Sequence, residues 1–343
     1  MVKNQQFNKN LLHWHRTDNK RSMPWKGEKD PYKIWLSEII LQQTRVEQGT
    51  QYFNAIVTKY PNICSLAEAH DDDVFSLWQG LGYYNRCRNM LYTARFVCTE
   101  LKGQFPDTFE SILSLKGVGE YTAAAIASFA FKLPRAVVDG NVIRIISRLY
   151  ASDTNPYTSL GKRWYQEKAQ ELLSISYPDE YNQAIMDLGA TVCTPANPQC
   201  DRCPVSAHCD AYASGHQQLY PPKKKKVTLK HRYFHFVLFE TTKEIYAVKR
   251  TQKDIWNNLY TPYLIESDSD VPPPEMDHLG LQQIHTMQQS LSHQRIHFHF
   301  YRHPSGKLLP HTYEQLVAIP KKSISSHAFP RSILVLFKKI AYL

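Results

Sequence analysis

From Pro31 to Tyr60 the apolar residues Ile34, Trp35, Ile39, Leu41, Val46, Phe53, Ile56 and Val57 stand mostly three, four or seven apart. That spacing predicts helix, because 3.6 residues per turn bring such positions to one face. Pro31 suits a first turn and Pro61 stops the run; one break is expected in between, at Gln48-Gly49-Thr50. Further helical stretches are predicted at 71–79, 85–102, 108–115, 121–131, 141–150, 160–173 and 178–190. Gly80, Gly82, Gly103, Pro106, Gly117, Gly119, Pro134, Gly140 and Pro178 punctuate them. Helices without intervening strands predict an all-α domain over 1–216.

The pattern then changes. Residues 217–230 carry two prolines and a four-lysine run without an acid, which predicts a basic linker. Beyond it, Tyr233–Glu240, Glu244–Lys249 and Ile296–Arg302 read as strands, so 231–343 is expected to be a small α+β domain. Residues 266–277 hold five acids and three consecutive prolines, which predicts an exposed loop. The alternation His297-Phe298-His299 fits a strand face better than a metal site.

Of the 343 residues, 43% are hydrophobic and 21% charged, which supports large cores and excludes wholesale disorder. A net charge of +10 favours a polyanionic partner, nucleic acid ahead of membrane. No run of about 18 apolar residues suggests a spanning helix, and the N-terminus lacks the apolar core of a signal peptide. Four of the seven cysteines form the pattern Cys193-x6-Cys200-x2-Cys203-x5-Cys209. Four thiolates so close can surround one metal centre. Only Cys200 and Cys203 form the close pair that zinc sites usually use twice, so iron–sulfur ligation is favoured and zinc is the rival. Cys64, Cys87 and Cys98 lie in helical stretches and read as ordinary buried thiols in a reducing compartment.

Three other features could carry chemistry. Leu115-Lys116-Gly117-Val118-Gly119 separates two helical runs. It is either a plain turn or a hairpin whose backbone N–H groups meet a phosphate. Glu38 sits among apolar neighbours, either as an exposed helix carboxylate or in a pocket where desolvation would let it hold a proton. Asp139, before Gly140-Asn141, is either only a helix cap or a persistent anion held by helix-start N–H groups. One protonatable acid beside one anion is the pair that cleaves a glycosidic bond through an oxocarbenium-like state.

Taken together, RSMPW (21–25), PYKIWLSEIILQQT (31–44), WQGLGYYNR (78–86), LKGVGEYTAAAI (115–126), VVDGNVIR (137–144), NQAIMDLGA (182–190) and the cysteine pattern resemble the MutY family of adenine DNA glycosylases, in the helix–hairpin–helix, endonuclease III-like superfamily. The resemblance spans nearly all of 7–213 and, more loosely, 230–340. It implies an all-α helix–hairpin–helix glycosylase domain with an iron–sulfur loop at 193–209, followed by a Nudix-like domain that reads 8-oxoguanine. It also implies a 4Fe–4S cluster, double-stranded DNA with adenine opposite 8-oxoguanine or guanine as substrate, and a monomer of the bacterial cytoplasm, at the nucleoid, working in base-excision repair.

By position, the resemblance makes Glu38 the acid that protonates adenine and Asp139 the carboxylate that stabilises the sugar cation, supported by Tyr121 and Asn141. Arg21, Trp25, Leu41 and Gln183 match the adenine pocket. Gln43 and Tyr83 match wedges in the base stack, and Thr44 and Leu81 match contacts to 8-oxoguanine. Gly117, Val118 and Gly119 form the phosphate-binding hairpin. Leu291-Ser292-His293 matches a Phe-Ser-His loop, with Ser292 and His293 as lesion contacts and Leu291 departing from the aromatic. The Glu-rich Nudix metal motif is missing, which argues against phosphohydrolysis. Two rivals are an endonuclease III-like lyase and a catalytically silent lesion binder. Tyr121 stands where such lyases carry their Schiff-base lysine, and Glu38 with Asp139 counts against silence.

Overall fold

The computed structural model describes residues 2–223, 228–291, 293–304 and 316–342. The chain divides into two compact units, one of residues 1–68 and 88–225, the other of 69–87 and 226–343. The segment 69–87, which the helical pattern runs straight through, thus groups with the C-terminal unit.

The helices are α1 Val2–Thr17, α2 Pro31–Leu41, α3 Val46–Lys59, α4 Ile63–Ala67, α5 Asp71–Leu77, α6 Asn85–Thr99, α7 Phe109–Leu113, α8 Glu120–Phe131, α9 Gly140–Leu149, α10 Ser159–Leu172, α11 Pro178–Thr191 and α12 Asp210–Ala213. In the first unit, α2 is buried from Tyr32 to Ile40 except at Lys33, and is started by Pro31 and the Asp30 cap on the Tyr32 N–H. It runs against α8, whose Ala123, Ala124 and Ala125 are small enough for close packing. A larger core gathers Leu11, Val137, Ile146, Tyr165, Tyr181 and Leu188 from α1, α9, α10, α11 and the strand-like approach to α9.

The expected break at Gln48–Thr50 is not where the chain turns. α3 passes through those residues, and the break lies at 42–45. A Cβ on Gly49 would stand 3.0 Å from Leu41 Cδ2, so this glycine lets α3 approach α2. The reversal is instead made at Gln43, with φ +58°.

Cys64 and Cys98 are joined in a disulfide, contrary to the reading of both as ordinary thiols. α4 and α6 bring their Cα atoms to 5.2 Å, within bridging range. A separation of 34 residues gave no sign of it. Cys87 is a buried thiol.

The second unit is built on β1 Lys230–Glu240, β2 Glu244–Lys249, β3 Tyr260–Thr261, β4 Tyr263–Ser267, β5 Gln282–Ser290, β6 Gln294–Arg302 and β7 Leu316–Pro320, followed by α13 Arg331–Lys339. The order is β3-β2-β1-β6-β5, with β4 paired to β1 and β7 to β2. β1 and β6 run parallel, with Phe234 beside Phe298 and Phe236 beside Phe300. These rings pack with Phe329, Ile333, Leu336 and Phe337 of the C-terminal segment. β3, β4, β5 and β7 were not predicted: they are short or mostly polar, and their pairing partners, not their patterns, make them strands. Of residues 266–277, expected as one exposed loop, Glu266 and Ser267 end β4 and Pro273 and Met276 are buried; the others are exposed. Among the described residues no helix is long and apolar enough to cross a membrane.

Candidate active site and metal-binding loop

Packing α8 on α2 and α11 on α9 opens a cavity of about 410 Å³. Arg21, Trp25, Glu38, Leu41, Thr44, Tyr121, Asp139, Asn141 and Gln183, far apart in sequence, all line it. These include every residue assigned to adenine binding or catalysis.

Glu38 is 7% exposed. Burial raises its carboxyl to about 7; a hydrogen bond from Tyr121 opposes the shift and the charge of Asp139 adds to it. The Tyr121 hydroxyl is itself pushed well up by burial and lies 3.6 Å from Met186 Sδ. Asp139 caps α9. Its Oδ1 accepts from the Val142 N–H at 2.8 Å and its Oδ2 from Asn141 Nδ2 at 2.8 Å. Burial moves its carboxyl above the ordinary value, while those donors and Arg144 pull it down. Both oxygens thus accept, an arrangement that suits the anion and wastes a carboxyl proton. Cap and anion are therefore one arrangement, not alternatives.

Asn141 is fixed in turn. Its Oδ1 accepts from Arg144 at 2.8 Å, and a Cβ on Gly189 would stand 2.5 Å from its own Cβ, so only glycine lets α11 come this close. Arg144 also donates to the Gly189 and Cys193 carbonyls.

One residue of the site escaped the sequence reading. Asp187 is fully buried and accepts from Asn19 at 2.7 Å, Arg21 at 2.8 Å, Gln183 at 3.0 Å and Lys26 at 3.1 Å. It holds Arg21 and Gln183, from opposite ends of the unit, in one place. A carboxylate between Met186 and Leu188, four residues after Gln183 on one helix face, was the available signal.

Trp25 is buried edge-on against Phe53. The turn between α7 and α8 falls at Gly117–Gly119. Gly117 has φ +83°, and a Cβ there would stand 2.8 Å from that of Asn89. Gly119 caps α8, Val118 is buried, and Thr93 holds the Lys116 carbonyl at 3.0 Å. Gln43 and Tyr83 both take left-handed backbone, φ +58° and +48°, and both are exposed. Leu81 is buried. In the second unit His293 is exposed and Leu291 packs against the aromatic core; Ser292 lies outside the described residues, as do Lys224, Lys225 and Lys226.

Cys193, Cys200, Cys203 and Cys209 line one small cavity together with Arg148, Gln199 and Gln217. Among the described residues no three His, Cys, Asp or Glu side chains are placed to hold a metal ion. Burial pushes the Cys203 thiol up to about 12, and burial with the neighbouring cysteines raises Cys200 and Cys209. Crowded buried thiols of this kind are stable as thiolates only around a metal centre, so the donor set fits one.

A scan of family models matches residues 36–174 to the HhH-GPD superfamily of base excision DNA repair proteins. Of the solved structures, a thermostable thymine-DNA glycosylase superposes with a TM-score of 0.57 at 28% identity, covering 62% of this chain and 98% of that one. Endonuclease III in a non-covalent DNA complex superposes with a TM-score of 0.52 at 19% identity, 63% and 99% covered, which speaks for the fold. The helical unit is thus a helix–hairpin–helix glycosylase fold. The adenine DNA glycosylase of Buchnera aphidicola subsp. Schizaphis graminum is 34% identical over 85% of this chain and 84% of its own length. That of Mus musculus is 42% identical over 60% of this chain and 42% of its own. The chain belongs to the adenine DNA glycosylase family.

Proposed function

We propose that this protein hydrolyses the N-glycosidic bond of adenine mispaired with 8-oxoguanine or guanine in duplex DNA, as a monofunctional base-excision glycosylase. The observation that carries the reading is the carboxyl pair within one cavity. Glu38 sits near 7 and so is half protonated at neutral pH, and Asp139 is held by donors only. Adenine leaves poorly until a ring nitrogen is protonated, and Glu38 is the donor. Asp139 then faces the positive charge that develops on the sugar. Asp187 holds Arg21 and Gln183 to receive the base edge, and Tyr121 orients Glu38.

Base flipping costs a few kcal/mol of unstacking. Gln43 and Tyr83, both exposed on left-handed backbone, are suited to fill the gap, with Thr44 and Leu81 beside the opposite base. The hairpin Gly117–Gly119 takes a phosphate, and Ser292 and His293 read 8-oxoguanine. Cys193, Cys200, Cys203 and Cys209 hold a 4Fe–4S cluster, which supplies a cross-link for the loop. The protein acts as a monomer at the bacterial nucleoid.

Single-turnover assays on duplexes with A opposite 8-oxoguanine, G, C or T test the reading, with and without alkali. Adenine release from the first two, and strand breaks only after alkali, are expected. Breaks without alkali would point to a lyase, and no release from any duplex would point to a silent binder.

A further inference from the structure

Arg148 is 3% exposed at the end of α9. Its Nη1 donates to Cys193 Sγ at 3.3 Å and to the Thr194 carbonyl at 2.8 Å, and its Nη2 donates to the Pro195 carbonyl at 3.0 Å. Its Nε reaches the carbonyls of Gln217 at 2.9 Å and Tyr220 at 3.2 Å. Its own carbonyl accepts from Cys209 Sγ at 3.3 Å. One buried cation therefore touches the first and last cysteines and also the stretch by which the chain leaves the helical unit.

A second observation is independent of Arg148. The Gln217 side chain lines the cysteine cavity, and its Oε1 is buried with no partner among the described residues. A half-turn of that amide presents Nε2 to the cavity as a donor suited to a thiolate or a sulfide. Gln218 adds a bond from Nε2 to the Ala196 carbonyl within the loop, at 2.7 Å.

We infer that Gln217 forms part of the wall of the cofactor cavity, and that Arg148 and Gln217 are positioning residues that make the anchoring of residues 217–220 depend on a bound cluster. The inference rests on the iron–sulfur reading above. With metal bound, the thiolates and sulfides are charged acceptors, and bonds to them from a guanidinium are at their strongest. Without it, Arg148 keeps its carbonyl partners and an uncoordinated sulfur, and the amide of Gln217 loses the acceptors the cluster would supply. The stretch then opens more often. What it releases is the root of the linker that carries the second unit.

The test uses the full-length protein, as isolated and after its cluster has been oxidised and chelated away. Iron content and visible absorbance are read on the same samples. Removing the cluster should raise amide exchange at 216–220 and trypsin cleavage in the Lys223–Lys226 run by about tenfold or more, the scale expected when one or two anchoring bonds are lost. Gln217→Ala keeps fold and colour and should raise the same cleavage severalfold with the cluster still bound. Arg148→Lys, which keeps the charge but loses the fork, should do so more strongly and should also speed bleaching by oxidant. If stripping the cluster opens the whole unit, Gln217→Ala decides: unchanged cleavage in the loaded variant overturns the proposal. Exchange at 216–220 that is indifferent to cluster loss in an iron-loaded protein overturns it alone. A native protein without iron overturns the cluster reading, and this proposal with it.

Discussion

The two units bury different things. In the helical unit Glu38, Asp187, Arg144, Arg148 and Asn182 are all buried, the two carboxyls against donors such as Tyr121 and Arg21 and the other three against backbone carbonyls. In the sheet unit the centre is aromatic, with Phe234, Phe236, Phe298, Phe300 and Phe329 buried. Its charge network of Arg232 with Asp254 and Glu266 stays partly exposed. The contrast follows from what each must do. An acid that gives up a proton at neutral pH needs a carboxyl raised from its ordinary range, and at Glu38 desolvation is the largest cause. On the proposed reading the sheet unit needs only hydrogen-bonding groups presented at its surface, which leaves its centre free to be aromatic.

The largest effect that could break the contrast is chemical. Glu38→Gln should bind lesion duplex within a few-fold of the parent yet lose about 10²–10⁴ of its single-turnover rate, the usual weight of a general acid. In the parent, the rate should fall as pH rises through about 7. Near-normal adenine release by the variant would remove Glu38 from the mechanism.

The same substitution probes what burial costs. The folded carboxyl titrates near 7 and the unfolded one near 4.5, so between these values the native state binds the extra proton and stability falls as pH rises. Glu38→Gln should therefore stabilise the protein by up to about 3 kcal/mol above pH 7 and by almost nothing below pH 4.5. Denaturant midpoints at the two pH extremes measure it, and a gain independent of pH would refute the desolvation argument.

A smaller effect belongs to the second unit. Ser292→Ala in the full chain should lower the preference for 8-oxoguanine over guanine by about 5- to 150-fold, the worth of one good hydrogen bond to a base, and leave excision opposite guanine unchanged. Cutting the chain near Gly215 is a poorer test, because it also removes Gln217 and Tyr220 from Arg148. An unaltered preference would remove Ser292 from lesion reading.

Smallest is Gly117→Ala. The new Cβ meets Asn89 and the backbone stays at φ +83°, so a loss of about 1–2 kcal/mol is expected, with weaker binding to any duplex. Unchanged stability would show that the hairpin can relax.

The amino-acid sequence by itself determined the helical unit, the turn at Gly117–Gly119 and the clustering of four cysteines, because each rests on short-range pattern: helical period, Gly-x-Gly, compact cysteine spacing; for Glu38 and Asp139 that pattern left a plain helix acid and a plain cap open, and the family resemblance made them a pair. A local change of composition put a boundary at 216, whereas the compact units divide at 225–226 and residues 69–87 group with the second. What it left open is what only long-range packing decides. Gly49 looked like a break and is a contact between α2 and α3. Cys64 and Cys98 looked like separate thiols until α4 and α6 met. β5 and β7 have no strand pattern of their own and exist through β6 and β2. Asp187 and Arg148 became parts of sites only when segments more than 150 and more than 40 residues away closed on them. Desolvation is likewise a property of the assembled interior: the chain places a carboxyl at position 38, and the packing of α8 against α2 raises its affinity for a proton.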